Sequence, residues 1–217
     1  MKQVYAPGCA LLIYKPHLSK TILNFLNQNL DDIQEHILCC RHDPHLVSGT
    51  RIINTCAGCD RRYRELYAGL STISLWEILA DNNSFSFPDY GGMEMSIHDA
   101  CPTRTEKRIH VAIRKLLVKM NIKFIEPKNS KTQAICCGDS FYGILPVDQV
   151  KEQMKKRAQE MSSDNVVVYC ISCIKAMHIG GKKPRYILDL LFNENTDIGI
   201  FEPDQWHNQL QQFIDSH

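Results

Sequence analysis

The chain has 217 residues, 44% of them hydrophobic and 23% charged, with a formal net charge of +1. These values describe one or two ordinary globular domains and exclude a disordered chain or a basic nucleic-acid binder. No apolar stretch approaches the ~20 residues of a membrane-spanning helix. The first residues lack the basic-then-apolar pattern of a secretory signal, so a cytoplasmic location with no membrane span is expected.

In chain order, a short strand is expected to run from Lys2 into Cys9, followed by a helix with apolar residues at Leu18, Ile22, Phe25, Leu26 and Leu30. That 3.6-residue stripe buries one face. The pair Cys39-Cys40 comes next, then a loop over 41–50, a strand Arg51-Ile-Ile-Asn-Thr leading into Cys56-Ala-Gly-Cys59, and a closing helix over 73–79. Residues 81–92, rich in Asn, Ser, Pro and Gly, read as a linker. The same order then repeats. A strand from Met93 runs into Cys101, and a helix follows with its stripe at Ile109, Ala112, Ile113, Leu116, Leu117 and Met120. Thr103-Arg-Thr-Glu106 reads as a capping box for that helix. Cys136-Cys137-Gly138, a helix striped by Val147, Val150, Met154, Ala158 and Met161, and the β-branched strand Asn165-Val-Val-Val-Tyr follow in turn. Then come Cys170-Ile-Ser-Cys173, a closing helix over 186–192 and a C-terminal helix over 205–214. Alternating strands and helices predict an α/β fold of two pseudo-symmetric Rossmann-like halves with mainly parallel sheets. The halves span 1–85 and 93–195, with an appendage over 196–217, and the cysteines fall at strand ends.

All ten cysteines belong to the repeat: a lone Cys, an adjacent pair, a C-x-x-C, twice over. In a reducing compartment thiolate ligation is a better use for them than disulfides. C-x-x-C sets two sulfurs on one turn, spaced for one metal or cluster. Adjacent cysteines diverge, and so suit a cluster with several irons better than a single ion. Five thiolates exceed the four of an ordinary zinc or cubane site; zinc held by four of five is the simple alternative, above all at the first set. The two sets differ in one interval. Residues 138–169, 32 in all, separate the second pair from its C-x-x-C, against 15 in the first, residues 41–55. One helix is therefore expected to be missing from the first half.

The words Tyr5-Ala-Pro-Gly-Cys9, His98-Asp-Ala-Cys101, Ile135-Cys136-Cys137-Gly138 and Tyr169-Cys170-Ile-Ser-Cys173 carry a resemblance. In order and spacing they resemble the duplicated cysteine-rich CCG domain of heterodisulfide reductase, over most of residues 2–192. Related domains occur in iron-sulfur subunits of glycolate oxidase, lactate utilisation and anaerobic glycerol-3-phosphate dehydrogenase. The resemblance implies two noncubane [4Fe–4S] clusters. One would be held by Cys9, Cys39, Cys40, Cys56 and Cys59, the other by Cys101, Cys136, Cys137, Cys170 and Cys173. It also implies a disulfide-type substrate reduced between the clusters, with Cys39, Cys40, Cys136 and Cys137 closest to the chemistry. Departures from the family are Arg41 where the first pair should precede glycine, Asp139-Ser140-Phe141-Tyr142 after the second, and the short first interval. The methanogen coenzyme heterodisulfide is therefore not carried over as substrate.

His98 is a candidate proton donor to a departing thiolate, against a packing role at the strand end. Arg41, His42 and His45 flank the first pair, as possible charge partners or as solvated loop residues. Tyr5, Tyr142 and Tyr169 could cover the clusters or simply pack. The chain has neither a C-x2-C-x2-C ferredoxin run nor a dinucleotide fingerprint, so an electron-donating iron-sulfur or flavoprotein partner is expected. The alternative is a non-catalytic electron-transfer or zinc-stabilised subunit of a larger oxidoreductase.

Overall fold

The structure is a computed structural model that describes residues 2–30 and 32–217. The chain divides into two compact units: residues up to Ile78 together with Asn208–His217, and Leu79–His207.

The first unit is built on a four-stranded parallel sheet of β1 (Gln3–Ala6), β2 (Gln34–Glu35), β3 (Arg51–Asn54) and β4 (Ser71–Ser74), in the order β2-β1-β3-β4. Val4, Tyr5, Ala6, Ile52 and Ile53 are buried on both faces, as a parallel sheet flanked by helices requires. The helices are α1 (Cys9–Tyr14), α2 (Pro16–Asn29), α3 (Ala57–Leu66) and α4 (Leu75–Asp81), the last running on into the second unit. Leu18, Ile22 and Leu26 form the buried face of α2, as the periodicity predicts. Pro16 opens that helix, where its missing N–H costs nothing.

The second unit repeats the plan. Strands β5 (Glu94–His98), β6 (Lys123–Ile125), β7 (Asn165–Val168) and β8 (Lys183–Tyr186) lie in the order β6-β5-β7-β8, again all parallel. Val166, Val167 and Val168 are fully buried, each worth roughly 1.5–3 kcal/mol of transfer free energy. Helices α5 (Lys107–Lys119), α6 (Val147–Gln159), α7 (Ile171–Ile179) and α8 (Ile187–Leu191) flank the sheet, and α9 (Pro203–Ser216) runs from the end of this unit into the residues of the first. The chain is thus α/β, with two four-stranded parallel sheets of identical strand order. Among the described residues no helix is long and apolar enough to cross a membrane.

The helix expected to be missing is missing: α6 follows the second cysteine pair, whereas residues 41–50 after the first form turns and coil. Three details differ from the sequence reading. There is no capping box on α5: Glu106 is its N-cap and makes no side-chain cap bond. Thr103 instead sits in a 3-10 turn, Cys101–Thr103, where its hydroxyl engages Ala100 O, His110 and Tyr169, so the helix starts one turn later. Helices α3 and α7, directly behind each C-x-x-C, and the outer strands β2, β4, β6 and β8 carry too little period to be read. Pro184 fits β8 because that strand is at a sheet edge.

Candidate metal centres

In each sheet the chain turns one way after the first strand and the other way after the third. The switch point of the first lies between β1 and β3, and that of the second between β5 and β7. Ligands of open parallel sheets bind beyond the carboxyl ends of strands at such a point, and the cysteines stand there. Cys9 follows Ala6 of β1 by three residues and Cys56 follows Asn54 of β3 by two; Cys101 and Cys170 stand in the same relation to His98 of β5 and Val168 of β7. Cys39 and Cys136 lie on the chain that leaves the neighbouring edge strands β2 and β6.

The turns are tied together locally. In the first unit, Thr55 donates to Pro7 O at 2.7 Å and so holds the Cys9 turn to the Cys56 turn. In the second, Tyr169 donates to Asp99 at 2.8 Å and lies 3.0 Å from Thr103, joining the Cys170 and Cys101 turns. Cys56 and Cys170 are the N-caps of α3 and α7, and the Gly58 and Cys59 N–H groups at the start of α3 lower the Cys56 thiol.

Each set of five sulfurs is continuous. Side-chain hydrogen bonds run Cys9–Cys39–Cys40–Cys59–Cys56 in the first unit and Cys101–Cys136–Cys137–Cys173–Cys170 in the second. All ten thiols are free, and both sets bury the pair and the last cysteine while leaving the other two half-buried. Cys40 and Cys59 also belong to an apolar cluster with Val4, Ala6, Ile52 and Tyr63, which keeps the inner side of the first centre dry.

The same position is held lowest in both sets. Cys39 is held far below the ordinary thiol range, first by hydrogen bonds from Cys40 and Cys9, then by the Arg41 N–H and His42. Cys136 is held down by Cys101 and Cys137, with Ser140 Oγ at 3.0 Å and Gly138 N at 3.4 Å from its sulfur. Cys9 and Cys101 are pushed up as the donors. Cys56 is lowered to about 7 by Cys59 and by the Cys59 and Gly58 N–H groups, against its burial. Five soft donors linked pair by pair, one of them held far below the ordinary thiol range and none of them oxygen, fit a thiophilic metal or iron-sulfur cluster. Cys9, Cys39, Cys40, Cys56 and Cys59 would hold one group, and Cys101, Cys136, Cys137, Cys170 and Cys173 the other.

The surroundings are unequal. Gly138, after the second pair, has φ +112°, and a Cβ there would stand 2.7 Å from both Met154 N and Met154 Cγ on α6. Arg41 occupies the corresponding place in the first unit, where no such helix exists; it is exposed, with Gln211 at 3.4 Å. The missing glycine and the missing helix are therefore one change. In the first unit α9 braces the loop instead: a ring nitrogen of His42 lies 2.9 Å from Ile214 O. His45 is exposed beside Asp43. In the second unit Trp206 donates to Ser172, inside the C-x-x-C, at 3.0 Å, and His207 pairs with Asp139 at 3.0 Å while stacking on Tyr142.

His98 ends β5, three residues before Cys101; Ala6 holds that place in β1. It is fully buried, and Arg157 Nε of α6 lies 3.2 Å from its Nδ1. Burial, then the Arg157 charge, lower its pKa to about 3. Both effects favour the uncharged ring near neutrality. Next to it, Asp99 accepts from both terminal nitrogens of Arg114 at 2.6 and 2.7 Å and from the Lys131 N–H at 2.7 Å. Arg114 is held by Glu126 as well. Nothing in the spacing of the sequence singled out Arg157 or Arg114 as supports of this centre.

No family model and no curated protein matches the chain. Among solved structures, glutamate racemase isoform RacE1 of Bacillus anthracis is similar at 9% identity and a TM-score of 0.37, over 98% of this chain and 82% of that one.

Proposed function

We propose that the chain is an iron-sulfur redox protein of the kind represented by the CCG-domain protein of heterodisulfide reductase. Each five-cysteine set would hold a noncubane [4Fe–4S] cluster, and the protein would reduce a disulfide-type substrate with electrons from a partner. The single observation that carries this reading is the unbroken five-sulfur network, formed twice in the same order at the switch point of each sheet. A four-ligand zinc site would leave one hydrogen-bonded thiol in each unit without a use. When bound, the clusters would supply the two electrons that, with two protons, convert R–S–S–R′ to R–SH and R′–SH.

The residues of the chain have definable tasks in this reading. Cys39 and Cys136, the thiols held lowest, are the ready thiolate ligands of each set. The Gly138 N–H and Ser140 hydroxyl orient Cys136. The two apolar cores under the sheets keep water from the inner sulfurs.

The electron donor is a separate protein. A cavity of about 960 Å³ runs along α5, and its lining includes no cysteine. Lys107, Lys115 and Lys119 line it around Val111 and Val118, which are 55% and 67% exposed. A donor with an acidic, partly apolar face complements this surface.

Anaerobic purification followed by iron, acid-labile sulfide and zinc analysis tests the reading. About eight irons with matching sulfide are expected; zinc without sulfide overturns it. Turnover of a disulfide by the loaded protein with reduced viologen separates an enzyme from an electron relay, since a relay would show both clusters and no turnover.

A further inference from the structure

The second centre contains a buried polar atom with no use inside the protein. Nε2 of His98 is among the few buried side-chain nitrogen or oxygen atoms without a hydrogen-bond partner. A ring nitrogen of His98 and the sulfurs of Cys137 and Cys173 all lie within 4.8 Å of one another. A buried N–H left unpaired costs about 1–3 kcal/mol, so this one calls for an acceptor.

The partner on the other side of the ring decides what Nε2 can be. A guanidinium has only donors. Arg157 is therefore the donor to Nδ1, across 3.2 Å, and Nδ1 must present its lone pair. The ring N–H is then on Nε2. Arg157 is fixed in turn by Glu160 at 2.6 Å and by the carbonyl of Asn129 at 2.8 Å, and is itself buried. With one ring nitrogen engaged and the other protonated, no lone pair is left for a metal. His98, Cys137 and Cys173 look like a mixed metal site by proximity, but the imidazole is excluded as a ligand.

We propose that His98 is an N–H donor aimed at the sulfurs of Cys137 and Cys173 in the second centre, with its tautomer imposed by Arg157, and that this makes the two centres electronically unequal. The proposal rests on the cluster reading above and deepens it. The first unit has no equivalent, because Ala6 stands where His98 would be and α6, the helix that carries Arg157, is absent. Hydrogen bonds to cluster sulfur withdraw charge and raise the reduction potential. The second centre would take the higher potential. The helix lost from the first unit thus removes more than cover: it removes the arginine that would set a histidine.

Two measurements test this on the full chain. In the metal-free protein, long-range ¹H–¹⁵N correlation of the imidazole is expected to show His98 protonated at Nε2 and bare at Nδ1, with that preference lost in Arg157→Met. A proton on Nδ1 overturns the assignment. In the anaerobically loaded protein, an EPR-monitored redox titration is expected to give two waves. His98→Leu lowers the upper wave toward the other; His98→Gln, which keeps an N–H, retains most of the separation; neither moves the lower wave. An upper wave that stays in place in His98→Leu overturns the proposal. If the protein carries no sulfide, the cluster reading falls by the metal analysis, and the NMR measurement still decides the tautomer independently.

Discussion

Arg157 and His98 are both buried, and the Nε–H of one points at the Nδ1 of the other across 3.2 Å. The arginine belongs to the one helix that the first unit lacks, so this contact is where the two halves part. Replacing Arg157 by Met leaves Asn129 O and His98 Nδ1 without a donor. The expected loss is about 2–4 kcal/mol, read from the urea midpoint of the metal-free chain. Arg157→Lys recovers only part of it, since one ammonium cannot reproduce a three-way fork.

Gly138→Ala should be among the costliest small substitutions in the chain. It forces φ +112° on an alanine and drives its Cβ against the Met154 backbone. A loss of about 3 kcal/mol is expected, together with poorer metal uptake at Cys136 and Cys137. Arg41→Ala, at the corresponding place in the first unit, is expected to stay within about 0.5 kcal/mol. Thermal denaturation of both variants decides this.

Asp99→Ala strands Arg114, which is 11% exposed and would keep only Glu126. The expected cost is about 3–5 kcal/mol. Burial pushes the Asp99 carboxyl up, but Arg114, the Lys131 N–H and Tyr169 together bring it below its ordinary value. A carboxyl lowered in the folded state stabilises above its unfolded pKa, about 3.9, and that stabilisation disappears as pH falls through the folded value. The metal-free chain should therefore weaken as pH drops below about 4, and Asp99→Asn should flatten that limb. An unchanged acid limb in the variant contradicts this account.

Removing residues 208–217 takes away Ile214 and Gln211, which hold His42 and Arg41 behind the first cysteine pair. With no helix between that pair and Cys56, the loop is otherwise held by Tyr67 donating to His42 O and by Arg62 donating to Cys40 O. The truncated chain is expected to lose about half of its iron and sulfide on gel filtration, about four irons, and to keep the centre of the second unit.

Docking of the electron donor should depend on charge along α5. Lys107→Glu is expected to slow donor-driven reduction several-fold at low ionic strength and much less at high salt. Reduction by a small neutral dye should be unaffected. Equal slowing with both reductants would place the effect in the centres and not at this surface.

The helices α2, α5 and α6 were legible because each has one wet and one dry face. Helix α7 was not, because Ile171, Ile174, Ala176 and Met177 are buried on every side and leave no period to detect. Helix α3 escaped for the opposite reason: only Ala57, Cys59 and Tyr63 of its apolar residues are buried. The two-residue β2 and the edge strands β4, β6 and β8 are too short or too exposed for alternation to register. Thr103 misled because a capping motif requires a free hydroxyl, and this one is taken by Ala100 and Tyr169.

The sequence alone determined that ten thiols fall into two sets of five, that the halves are copies, and that one copy is short of a helix. Those are statements about spacing along the chain, and spacing is local. Only the tertiary structure decided that the sulfurs of each set are linked pair by pair, that hydrogen bonds hold Cys39 and Cys136 lowest, and that the buried Arg157 reaches Nδ1 of His98. These depend on residues far apart along the chain, and only the packing of strands and helices brings those within hydrogen-bond reach.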